Sequence, residues 1–145
     1  MVQRILVPTD GSDLSKRAAM AAIDLAKRVG AELVAMTATP EFHAITANPE
    51  MLEQTREQYA RSSRDSGQHA LDQIADAARA AGVPCTCVQV VSDAPHDAII
   101  AAAREHRCDL IAMASHGRRG IKGLLLGSET QKVLVHGAIP VLVCR

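Results

Sequence analysis

The chain has 145 residues, and its sixteen Lys and Arg balance sixteen Asp and Glu, so no global field recruits nucleic acid or an acidic membrane and any bound anion must be held locally. One Phe, one Tyr and no Trp leave almost nothing on which bases could stack, which argues against a sequence-tolerant single-strand binder. The length suits one core and no stretch reads as a dividing linker, so residues 1–145 are expected to form a single domain.

The chain opens on a strand at residues 2–7, Val-Gln-Arg-Ile-Leu-Val, ended by Pro8, after which Ser12 or Asp13 can cap a helix. Leu14, Ala18, Ala21, Ala22, Leu25 and Val29 then recur at helical spacing until Gly30 ends the element. A second strand covers residues 32–38, and Thr39-Pro40-Glu41-Phe42-His43 begins a longer, less regular connection. Asn48 caps a second helix with Pro49 at its first position, and Met51, Leu52, Thr55 and Tyr59 share a face. The polar run at residues 62–67 is weakly helical and predicts a bend or frayed turn. Leu71, Ile74, Ala78 and Ala81 resume the pattern before Gly82-Val83-Pro84 stops it.

Residues 83–91, rich in β-branched side chains, form a third strand. Asp93 or Ala94 before Pro95 opens a third helix with Ala98, Ile99, Ala102 and Ala103 inward. The fourth strand is residues 110–114, a last helix runs over 129–136 until Gly137, and the fifth strand is 140–144. Strict alternation of strand and helix implies an α/β fold: a parallel, doubly wound sheet covered on both faces with right-handed crossovers. In such folds ligands bind outside the carboxyl ends of the strands, where the strand order reverses.

The fourth strand runs straight into Ser115-His116-Gly117-Arg118-Arg119-Gly120-Ile121-Lys122-Gly123-Leu124-Leu125-Leu126-Gly127-Ser128. Glycines that let the backbone approach a ligand, three cations and a following helix start make this a phosphate cradle. Ser128 and Gln131 have the spacing of a capping box. A glycine-rich surface turn with solvated cations is the alternative, and His116 is either a phosphate donor or a solvated loop histidine.

From Ala114 to Ser128, the run Ala-Ser-His-Gly, nine residues, then Gly-Ser resembles the nucleotide loop of the universal stress protein family, Gly-x-x-Gly, nine residues, then Gly followed by Ser or Thr. The opening Pro8-Thr9-Asp10-Gly11-Ser12 and the closing helix and strand extend the resemblance over nearly the whole chain. Alanine at 114 replaces the first glycine of the pattern. The resemblance implies a five-stranded sheet of order 3-2-1-4-5, with the reversal between strands one and four. It implies an ATP-binding protein of the stress response, with the nucleotide as a regulatory ligand and Mg²⁺ as an optional bridging ion. By resemblance the nucleotide contacts are Pro8, Thr9, Asp10, Ala38, Met113, Ala114, His116, Gly117, Arg118, Gly127, Ser128, Glu129 and Thr130.

Local alternatives stay open for several of these. Asp10 is either a ligand for ribose, adenine or Mg²⁺, or an Asx turn opening the first helix. Met113 and Ala38 line a base pocket, pack in the core, or do both. The family's members commonly pair as homodimers through the final strand, and residues 140–144 form an edge with little charge that wants covering. A nucleotide-free dimeric interaction protein of the same fold, docking on regulatory partners, is the competing class.

Catalytic readings find little support. The chain has no Gly-x-x-x-x-Gly-Lys followed by Ser or Thr, no Gly-x-Gly-x-x-Gly after the first strand, and no activated nucleophile, so any hydrolysis of ATP is expected to be slow. Cys85, Cys87, Cys108 and Cys144 fall on or beside predicted strands and read as small buried hydrophobes, and the six histidines show no metal spacing. Met1-Val2-Gln3-Arg4 leads directly into a strand and no apolar run is long enough for a bilayer, so a cytoplasmic protein is expected, with no membrane or nucleic-acid partner. Gly127→Val is expected to block nucleotide while leaving the fold intact.

Overall fold

The computed structural model describes residues 1–43, 49–117 and 125–145. Five parallel strands, β1 (Arg4–Pro8), β2 (Glu32–Thr39), β3 (Cys85–Val91), β4 (Leu110–Ala114) and β5 (Val141–Cys144), lie in the order β3-β2-β1-β4-β5. Four helices join them: α1 (Asp13–Val29), α2 (Pro49–Ala81), α3 (Pro95–Glu105) and α4 (Ser128–His136). The expected class and strand order both hold.

The period-2 alternation of the strands divides the core in two. Ile5 and Val7 of β1 with Leu33 and Ala35 of β2 face α1 and α2, where Ala22, Ile23, Leu71, Ile74 and Ala78 cover them. Leu6, Val34, Met36, Ile111 and Met113 face the other way, against Ala98, Ile99, Ala102 and Val133 of α3 and α4. Each strand near the centre therefore buries both faces, as a parallel sheet requires.

The helix ends follow local chemistry. Ser12 caps α1, its hydroxyl accepting from the Ser15 N–H at 3.3 Å, and Gly30 leaves the helix at φ +72°, with the N–H groups of Gly30 and Ala31 both returning to the Ala26 carbonyl. Asn48, the expected cap of α2, lies outside the described residues.

Three expectations change. The frayed turn expected at residues 62–67 is absent, because α2 runs unbroken for 33 residues. Gly67 is buried there, and a Cβ would collide with the Gln89 side chain and approach Thr37 Cγ2 at 3.1 Å. The residue that looks like a weak point lets the helix lie close on β2 and β3. Met51 and Thr55 stay exposed, since the helix buries side chains only from Gly67 onward. Finally, Cys87 is exposed and Cys85 and Cys144 are half-buried, so only Cys108 is the buried hydrophobe expected. Burial lifts the Cys108 thiol to about 11. Among the described residues no helix is long and apolar enough to cross a membrane.

Candidate functional site

The order reverses between β1 and β4, which pair through Ile5↔Leu110 and Leu6↔Ile111. β1 leads into α1 on one face and β4 toward α4 on the other, the arrangement that in open α/β sheets leaves a crevice above the carboxyl ends of the two strands. Asp10 and Gly117 meet there. A Cβ on Gly117 would stand 2.5 Å from Asp10 Oδ2, so the two loops touch only because position 117 carries no side chain.

Asp10 Oδ1 accepts the Ser12 N–H at 2.9 Å, so the Asx turn is formed while the second oxygen faces Gly117. Thr9 turns inward: it is buried, its hydroxyl shares a hydrogen bond with Ser15 Oγ at 3.1 Å, and it accepts the Gly11 N–H. Its side chain therefore supports the loop from beneath, and the expected contact from Thr9 is not made by its hydroxyl.

Alternation puts Pro8, Ala38 and Met113 on the face shared with α3 and α4. Pro8 pairs with Met36 on β2, and two places beyond Leu6↔Ile111 it comes level with Met113. Ala38 and Met113 both join the α3/α4 core, Met113 at only 6% exposure. Core packing is therefore observed for Ala38 and Met113, at the carboxyl ends of their strands.

The start of α4 differs from its expected form. Gly127, not Ser128, is the N-cap, and no side chain caps the helix, so there is no capping box. Gln131 instead sends its main-chain N–H to the Gly127 carbonyl and its amide group to the Leu126 carbonyl. Gly127 donates its own N–H to Ser115 O at 2.6 Å, so that N–H is already engaged within the protein. Ser128, Glu129 and Thr130 form the first turn, whose N–H groups have no intrahelical acceptor. That end of the helix is an anion-seeking surface.

Two side chains expected at the ligand serve the frame. Thr130 is 2% exposed and donates its hydroxyl to the Ala114 carbonyl at 3.0 Å, tying α4 to the end of β4. Glu129 turns toward α3, accepting the His96 N–H at 2.8 Å and Nδ1–H at 2.9 Å while pairing with Lys132 at 3.0 Å. Burial pushes the Glu129 carboxyl up, but hydrogen bonds from Lys132 and then His96 more than reverse this and hold it below its usual range. The Thr130 hydroxyl and the Glu129 carboxylate are thus both engaged within the protein.

His116 is half-buried with Nδ1 3.2 Å from Ser115 Oγ, and Ala114, at the departure from the glycine pattern, is 8% exposed. Arg118 lies outside the described residues, as do Arg119, Gly120, Lys122 and Gly123. The Glu129–His96 strap is what sequence reasoning missed. One signal existed: α3 opens on Ala94, which has no side-chain cap to offer, so an acceptor had to come from elsewhere.

Thr130→Val is expected to lower stability by about 1–3 kcal/mol, because the isosteric side chain leaves the buried Ala114 carbonyl without its donor. Urea unfolding with an unchanged m-value checks it, and an unaltered midpoint would contradict the tie.

A five-stranded parallel sheet with loops converging at the β1/β4 reversal, beside an uncapped helix start, defines a doubly wound α/β domain whose ligand position is the reversal point. The universal stress protein family model matches residues 1–145, and the chain belongs to that family. A universal stress protein of Thermus aquaticus is 32% identical over 145 residues, covering all of both chains. Among solved structures, MJ0577 of Methanocaldococcus jannaschii superimposes with a TM-score of 0.84 at 24% identity, covering 99% of this chain and 96% of that one. A universal stress protein solved in complex with cAMP has a TM-score of 0.71 at 28% identity, with 99% and 97% covered.

Proposed function

We propose that this protein binds ATP, with Mg²⁺ as an optional bridging ion, in the crevice at the carboxyl ends of β1 and β4. The nucleotide acts as a regulatory ligand in a stress response. The observation that carries this reading is the uncapped first turn of α4 beside the Asp10–Gly117 contact. The amides of Gly117, Ser128, Glu129 and Thr130 hold phosphates, Arg118 adds charge, and Asp10 accepts from ribose or adenine. Pro8, Ala38 and Met113 support the base, with Ala114 and His116 at the loop's exit. The relative bound to cAMP supports an adenine nucleotide as the ligand class.

Among the described residues of the crevice none is placed as a general base for water, so any turnover is expected to be slow. The protein works in the cytoplasm as a homodimer through β5, whose Leu142 is exposed at 40%. Leu134 and Val135 on α4 are exposed apolar residues as well.

The purified protein should carry material absorbing at 260 nm that is released on denaturation and identified as adenine nucleotide. Asp10→Ala should weaken ATP binding by calorimetry about tenfold, the worth of a hydrogen bond to a charged group, with little effect on inorganic triphosphate. Parent protein that neither carries nucleotide nor gives heat with ATP and Mg²⁺ would leave the nucleotide-free interaction protein as the better reading. Equal losses for ATP and triphosphate would remove Asp10 from the nucleoside.

A further inference from the structure

At the other end of the sheet's carboxyl edge, beyond β2 and β3, three ligating side chains meet. Glu41 and His43 leave β2 two residues apart, and Asp93 lies between β3 and α3, with one ligand atom from each falling within 4.8 Å of the others. All three are exposed. We propose that Glu41, His43 and Asp93 form a binding site for a first-row divalent cation of the Zn²⁺ or Mn²⁺ class.

The parts are held in place by separate contacts. Asp93 Oδ1 accepts the Glu41 N–H at 2.9 Å, which aims Oδ2 at His43 Nε2, 2.6 Å away. Hydrogen bonding from His43, and then from the Glu41 N–H, holds the Asp93 carboxyl below the usual carboxylate range. The loop carrying Glu41 and His43 is anchored on α2. Phe42 packs on Tyr59 with ring centroids 5.4 Å apart, Arg56 stands 5.8 Å over the Phe42 ring, and the Tyr59 hydroxyl donates to the Pro40 carbonyl. A site with its backbone fixed in this way needs little ordering when an ion arrives.

An ordinary ion pair accounts for only two of the three groups. His43 and Asp93 satisfy each other, yet the Glu41 carboxylate makes no ion pair among the described residues although it stands beside an anionic aspartate. Two carboxylates against one imidazole leave an excess of negative charge that a divalent ion relieves. One nitrogen and two oxygens are a donor set for borderline cations, and ligand bonds of about 2.0–2.2 Å can replace the direct His43–Asp93 contact. Glu41 also borders a cleft of about 400 Å³ lined by Phe42, Arg56 and Tyr59, so the ion keeps an open side for water.

This site lies at β2 and β3, apart from the β1/β4 crevice, and its test uses protein stripped of nucleotide and metal. Mn²⁺ is the probe, because it prefers oxygen and nitrogen to the thiols of Cys85 and Cys87. Titration followed by electron paramagnetic resonance should give one saturable site. His43→Ala and Glu41→Gln should each weaken it at least about tenfold, and Cys85→Ser should leave it unchanged. Both substituted groups are exposed, so circular dichroism should match the parent. Mn²⁺ should broaden the backbone amide signals of Glu41, His43 and Asp93. No saturable binding, equal affinity in the two ligand variants, or broadening centred on Gly117 and Ser128 would each overturn the assignment.

Discussion

Leu6→Ala is expected to destabilise the protein by about 2–5 kcal/mol, the range for truncating a large buried aliphatic side chain. Leu6 sits in the middle of β1, the central strand of the sheet, between Val34 and Ile111, and is 0% exposed. Its side chain belongs to the core under α3 and α4, together with Met36, Ala102 and Val133. Neighbours on both flanking strands are fixed by ladder hydrogen bonds, so the cavity cannot close by local collapse. Thermal unfolding should fall by about 2–4 °C for each kcal/mol lost in a domain of this size. Met20→Ala, at a site on α1 that is 55% exposed, should stay within about 0.5 kcal/mol and serves as the reference. A Leu6 variant no less stable than the Met20 variant would mean that β1 is not the centre of the sheet.

How far the chain could be read from its residues depended on the distance between the groups that matter. The two-residue rhythm of Ile5, Leu6 and Val7 and the helical rhythm of Ala18, Ala22 and Ala26 are local, and they placed every strand and helix. Strand order came with the resemblance and is observed. Caps and helix interiors were harder. The Ser128–Gln131 spacing fits a capping box, but Gly127 takes the cap with φ −71° and ψ 159°, and Ser128 is already helical. Residues 62–67 look weak by intrinsic preference, yet docking of Gly67 against Gln89 and Thr37 overrides it. The contacts invisible in one dimension join groups far apart in sequence: Glu129 with His96, and Asp93 with Glu41 and His43. No periodicity encodes such pairs, because each depends on where two loops leave the sheet.

Gly127→Val is expected to abolish ATP binding and also to cost about 1–3 kcal/mol of stability, as overpacking does when neighbours cannot withdraw. The expectation that the fold would be untouched is corrected by what surrounds this glycine. A Cβ there would lie 3.1 Å from both Cα and Cβ of His116 and 3.4 Å from the Ser115 carbonyl oxygen. These are main-chain neighbours and the root of a side chain, and valine brings two methyl groups beyond its Cβ. Relief requires the end of β4 and the start of α4 to part. Two bonds across the junction oppose that, Gly127 N–H to Ser115 O at 2.6 Å and the Thr130 hydroxyl to Ala114 O, while Ser115 N–H to Cys144 O at 2.7 Å holds the end of β4 on β5. If the junction opens, the amides of Ser128, Glu129 and Thr130 shift relative to Gly117, and the phosphate site proposed above would be lost with the geometry. Gly127→Ala, which needs a shift of only a few tenths of an ångström, should weaken binding without abolishing it. Calorimetry with ATP and Mg²⁺, run beside urea unfolding, separates the possibilities. A valine variant that loses stability yet binds ATP like the parent would show that this junction holds the fold together but does not hold the nucleotide.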